Sequence, residues 1–99
     1  MNATATQKSG DDSVVMMVRS ATPATSLGSA IAHSVRENKN VSVRAVGQGA
    51  VSQTCKALAI AKGFTASEGH RLTFDVSFFT FQDADGEEKN GMNFKVIDT

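Results

Sequence analysis

Cysteine occurs once, at Cys55, so no internal disulfide can form. The fold must be held by its core, and a reducing, cytoplasmic compartment is compatible with that (the nucleus, in a eukaryote). Long hydrophobic runs are missing. The longest, Val14 to Val18, is far too short to cross a bilayer, so no membrane partner is expected. No charged segment followed by an apolar one opens the chain, so no secretory signal is expected either. Neither sign of charge prevails: ten basic side chains face ten acidic ones. That excludes the bulk positive charge that makes nucleic-acid binding obvious, and any polyanion must be met by a local patch or by backbone dipoles. There is no internal repeat. His33 and His70 are isolated from Cys55 and from any carboxylate set at ligand spacing, so no metal or cofactor is expected. No titratable pair stands at catalytic spacing, and an enzyme is not expected.

What is present fits one small globular domain: 99 residues, 40% hydrophobic and 20% charged. Residues 1–12 are polar and end in Asp11-Asp12, which predicts a disordered tail ahead of a domain over 13–99. Val14 to Arg19 is nearly continuously apolar, as in a central strand covered on both faces. Thr22 as cap and Pro23, the one proline, open a helix that runs to about Asn38. Leu27, Ile31 and Val35 form its buried stripe, and Gly28 keeps its surface thin. Asn40 is placed to end it in a left-handed conformation.

Val41 to Val46 alternates apolar and polar residues and predicts a strand. Gly47-Gln48-Gly49 is a sharp turn into a second helix, Ala50 to Phe64. Ala50, Val51, Thr54, Leu58 and Ala61 share its buried face, with Cys55 at the edge as a core residue. Ile60 and Phe64 fall on its flank, where a loop or a second subunit would cover them. Arg71 to Gln82 predicts a long strand. Leu72, Phe74, Val76 and Phe78 mark one face, and Phe79 and Phe81 the other. That change of parity means either a bulge or apolar neighbours on both faces. Asp83 to Glu87 predicts a charged hairpin tip with Gly86 at positive φ, and Glu88 to Ile97 a last strand. The order β-α-β-α-β-β predicts an α/β two-layer sandwich: a mixed four-stranded sheet with both helices on one face.

Val46-Gly47-Gln48-Gly49-Ala50-Val51-Ser52-Gln53, followed by Lys56-Ala57-Leu58-Ala59-Ile60-Ala61-Lys62-Gly63-Phe64, resembles the signature of the stage V sporulation protein S family. Pro23 through Arg36 and the Asp85-Gly86-Glu87-Glu88 turn agree with it, so the resemblance covers residues 14 to 97. It implies an Alba-like α/β sandwich, a homodimer and a regulatory role, with nucleic-acid binding as the usual inference for the fold. The family's asparagine at the start of the second helix is Ser52 here. Its lysine after the first strand is Ser20, with Arg19 one place earlier.

Two site expectations follow. Gly47, Gln48 and Gly49 at the helix mouth, with Arg19, Arg44, Lys56 and Lys62, form a candidate contact to DNA or RNA backbone; the alternative for each cation is a solvated surface charge. Ile60, Phe64, Phe79 and Phe81 form a candidate dimer interface. In a rival reading the same four residues are the working surface of a protein–protein adaptor that binds no nucleic acid.

Overall fold

The computed structural model describes residues 4–8, as backbone, and 12–99 with their side chains. Seven elements follow one another: β1 (Thr4–Lys8), β2 (Ser13–Val18), α1 (Ala24–Arg36), β3 (Asn40–Ala45), α2 (Gln48–Ala66), β4 (Leu72–Gln82) and β5 (Glu88–Asp98). The strands form one mixed sheet in the order β1-β2-β3-β5-β4. Parallel β2 and β3 are joined through α1, and β5 runs antiparallel between β3 and β4. The expected four strands are present. The fifth, β1, lies where the tail was expected to be disordered: Thr4–Lys8 pairs antiparallel with β2, Thr4 opposite Val18 and Lys8 opposite Val14. A polar segment can do this because an open sheet edge supplies backbone partners whatever the side chains are. The rest of that tail expectation, at 1–3 and 9–11, lies outside the described residues.

Alternation sets the core. Val14, Met16 and Val18 of β2, Val41, Val43 and Ala45 of β3, and Phe94 and Val96 of β5 are buried, with Leu72 of β4. They meet Leu27, Ile31 and Val35 of α1 and Ala50, Ala57, Leu58 and Ala61 of α2. Each fully buried large aliphatic contributes about 1.5–3 kcal/mol. Because both helices cover the same face, β2 is not sandwiched as its apolar run suggested: Val15 and Met17, on the other face, are only half-buried.

The two helices lie close because Gly28 lets them. A Cβ there would sit 2.7 Å from Ile60 Cγ2, 2.9 Å from Ile60 Cβ and 3.1 Å from the Ala57 carbonyl oxygen. Alanine or valine would favour the helix over glycine, but overpacking costs about 1–3 kcal/mol and valine adds two more carbons. Gly28→Val is therefore expected to lower stability by about 2–4 kcal/mol and the Tm by about 10 °C or more, read by thermal unfolding. An unchanged Tm would show that the helices have room to part. At the far end, Arg36 Nε donates to Glu68 Oε1 at 2.8 Å and ties α1 to the end of α2. That bond holds the Glu68 carboxyl below its ordinary value, so what it contributes is present above the carboxylate range and is lost as pH falls through the lowered value.

Local signals settle differently from expectation at two places, and at a third between two alternatives. Pro23 itself is the cap residue of α1. Thr22, fully buried, accepts the Arg19 N–H through Oγ1 at 2.9 Å and closes the turn leading in. Asn38, not Asn40, takes the left-handed conformation, with φ +60°. Pairing of β4 with β5 is unbroken from Leu72–Asp98 to Gln82–Glu88, so there is no bulge: β4 carries apolar residues on both faces.

Candidate nucleic-acid interface

The helix mouth forms where β3 ends. Gly47 caps α2 with φ +91°, a conformation that favours glycine. The first helical bond runs from the Val51 N–H to the Gly47 carbonyl, so the amides of Gln48, Gly49 and Ala50 stand outside the ladder. No side chain caps this end, and no acidic residue lies in the first turn. Gln48 and Gly49 are exposed and Ala50 is buried. The positive end of the α2 dipole therefore lies at two exposed residues and is neutralised by no carboxylate of its own.

The turn from β2 into α1 is pressed against this mouth. A Cβ on Gly49 would lie 2.6 Å from Ser20 Cβ, so glycine is what allows the approach. Gln53 Nε2 donates to the Thr22 carbonyl at 2.6 Å, and Lys56 Nζ reaches Gln53 Oε1 at 3.5 Å. Arg19, exposed, is the neighbour of Ser20. Ser20 and Thr22 of the β2–α1 turn thus touch Gly49 and Gln53 of α2, with Arg19 next to Ser20 in the chain and Lys56 three residues beyond Gln53.

Two expected members lie elsewhere. Arg44 is on the face of β3 away from the helices. Its Nε lies 3.3 Å from Asn93 Oδ1, and its guanidinium sits 5.0 Å from the centre of the Phe79 ring. Lys62 lies 13 residues past Gly49, about 20 Å along the helix, and about 120° round the axis from Lys56.

The four candidate interface residues also divide. Ile60 packs against Gly28 of α1 and is half-buried there. Phe64 is exposed on the helical layer. Phe79 and Phe81 stack at 5.8 Å on the opposite, helix-free face of the sheet, where Phe79 lies over Gly91. These four cannot form one surface.

The exposed apolar surface that sequence reasoning missed is on the helix side of β4. Phe78 is 73% exposed and Val76 50%. Between them and α2 run two hollows of about 380 and 370 Å³. The first is floored by Ala45, Val51 and Met92; the second by Leu58, Phe74 and Phe94, with Lys62 at its rim. Cys55 lines the second and is exposed, a correction to its expected place in the core. The periodicity of α2 gave its parity; what it lacked was that α2 stops short of covering β4. The acidic hairpin tip folds as expected, with Asp83 Oδ1 accepting the Asp85 and Glu87 N–H groups at 2.9 Å each. Ala45 is opposite Met92, so β5 from Glu88 to Gly91 extends past the end of β3, on the side of the helix mouth. Among the described residues no group of His, Cys, Asp or Glu could hold a metal ion, and no helix is long and apolar enough to cross a membrane.

This is an Alba-like α/β sandwich. Alba from Thermoplasma volcanium is similar in fold, with a TM-score of 0.54 at 15% identity over 83% of this chain and 94% of that one. Residues 14–99 match the Stage V sporulation protein S (SpoVS) family, and the chain belongs to that family. Strand β1 precedes the matched segment.

Proposed function

We propose that this chain is a non-enzymatic regulatory protein that binds nucleic-acid backbone without base specificity and acts as a homodimer. The observation that carries this reading is the uncapped mouth of α2: exposed Gln48 and Gly49, whose amides stand outside the helical ladder, and no acidic residue in the first turn. Contacts of Gly49 with Ser20 and of Gln53 with Thr22, which hold together the two elements that carry Arg19 and Lys56, support their taking part. One phosphate is received by amides and dipole, and its neighbours by the two cations. Such contacts position a strand and read no base, so DNA and RNA of mixed sequence are both ligands. With no net charge to draw a polyanion from a distance, affinity rests on these few contacts. The acidic tip keeps the nucleic acid on the body side of the hairpin.

The test is binding to mixed-sequence DNA and RNA across a salt series. Affinity that falls steeply with salt is expected. No binding at low salt would leave the second reading, a protein–protein adaptor, which one observation favours: the exposed Val76 and Phe78 beside the hollows along α2. In the first reading that same strip is the homodimer contact. β4 is an edge strand, and its exposed apolar side chains are what a second copy would cover.

A further inference from the structure

The end of α2 and the turn into β4 bring three basic side chains to one hollow. Lys62, Ala66, His70, Arg71, Leu72 and Thr73 line a cavity of about 230 Å³. Half of these lining residues can carry positive charge, and no carboxylate is among them. Lys62 comes from α2, while His70 and Arg71 come from the segment before β4. Among the described residues the side chains of Lys62 and Arg71 have no ion-pair or hydrogen-bond partner. Arg36 is engaged with Glu68, Lys89 with Asp83 and Glu87, and Arg44 with Phe79; Arg19, Lys39 and Lys95 are also without such a partner among the described residues, but Lys62 and Arg71 alone of the unpaired cations share this hollow. The nearby carboxylates are occupied too, Glu68 by Arg36 and Asp98 by His70, whose Nδ1 lies 2.6 Å from Asp98 Oδ2. That contact orients the imidazole; with Nδ1–H given to the carboxylate, Nε2 donates only when the ring is protonated.

Two unpaired cations and an oriented imidazole around one hollow raise its potential, and an anion is the charge that relieves it. The volume is below the roughly 300–1,000 Å³ of pockets for organic ligands, so the occupant is compact. We infer that this hollow binds a compact oxyanion of the phosphate class, through Lys62 Nζ and the Arg71 guanidinium, with His70 Nε2 as a third donor when the imidazole is protonated. It gives Lys62 a role that its distance from the helix mouth denies it there. The anion is either free phosphate or a phosphodiester of a bound strand. The site stands apart from the mouth of α2 and does not depend on it.

The test is an NMR titration of the full chain with inorganic phosphate, with chloride at matched ionic strength as control, followed by a mixed-sequence oligonucleotide. Saturable shifts at His70 and Arg71 with phosphate and not with chloride are expected. Lys62→Ala and Arg71→Ala, both at exposed positions, are each expected to weaken phosphate binding about tenfold. Lys62→Arg should retain most of it. Shifts at His70 with the oligonucleotide as well would assign the anion to a strand; shifts with phosphate alone would assign it to the free ion; both support the site. No saturable shift, or an equal shift with chloride, overturns it. If the oligonucleotide moves Gly49 while neither ligand moves His70, this inference fails and the reading of the helix mouth stands.

Discussion

Replacing Arg19 and Lys56 together with alanine is expected to lower affinity for mixed-sequence DNA and RNA by about a hundredfold at low salt. A hydrogen bond to a charged group is worth about 1.5–3 kcal/mol, and 1.4 kcal/mol is tenfold, so each lost contact accounts for about a factor of ten. The slope of log affinity against log salt should fall by about two for each protomer, one for each phosphate contact removed. The loss should be the same for DNA and RNA and for any sequence, because backbone contacts carry no base information. Arg19 and Lys56 are exposed, so the fold and the oligomeric state should be unchanged. Arg44→Ala is the informative control. That side chain packs on Phe79 across the sheet from the mouth and should leave this affinity near its starting value. If Arg44→Ala weakens binding as much as the double variant, the strand runs over the helix-free face and the mouth is not its seat.

The second large effect concerns assembly. Phe78→Glu is expected to convert the protein from twice the chain mass to the chain mass, read by light scattering or sedimentation. Phe78 is 73% exposed, so a carboxylate there is solvated in the monomer and costs the fold little. In a dimer that covers the strip, the same carboxylate is buried without a partner. Central interface residues of this kind cost about 2–4 kcal/mol when lost, so dissociation should strengthen by about thirtyfold or more. Phe81→Glu, on the opposite face of the same strand, should leave the mass doubled. A Phe78 variant that keeps the parent's mass would free the strip for a different protein, as in the adaptor reading.

The sequence shows its core elements through period and punctuation. Leu27, Ile31 and Val35 recur at helical spacing and are buried as that spacing requires. Gly47 and Gly86 stand where the chain needs positive φ, and both have it. What stayed hidden depends on partners distant along the chain. Thr4–Lys8 has no apolar pattern, because its order comes from the edge of β2. Cys55 and Ile60 were misplaced for one reason: periodicity gives the centre of a buried stripe but not which flank a second element covers. Gly28 lets α1 cover the Ile60 flank, while the Cys55 flank faces β4 across an open hollow. The same holds for the candidate sites. Alternation along β3 put Arg44 on the face opposite Val43 and Ala45, yet nearness in sequence to Gly47 suggested otherwise. Ser20 and Gly49, 29 positions apart, and Thr22 and Gln53, 31 apart, meet only through the fold, and no local pattern announces it.

The amide resonances of the α2 mouth report the central claim most directly. On titration of the full chain with a short mixed-sequence oligonucleotide, the Gln48 and Gly49 N–H signals should show the largest changes in the spectrum, with Arg19 and Lys56 following and all reversed by salt. Saturable binding that leaves Gln48 and Gly49 unmoved would contradict the account, whatever other surface responds.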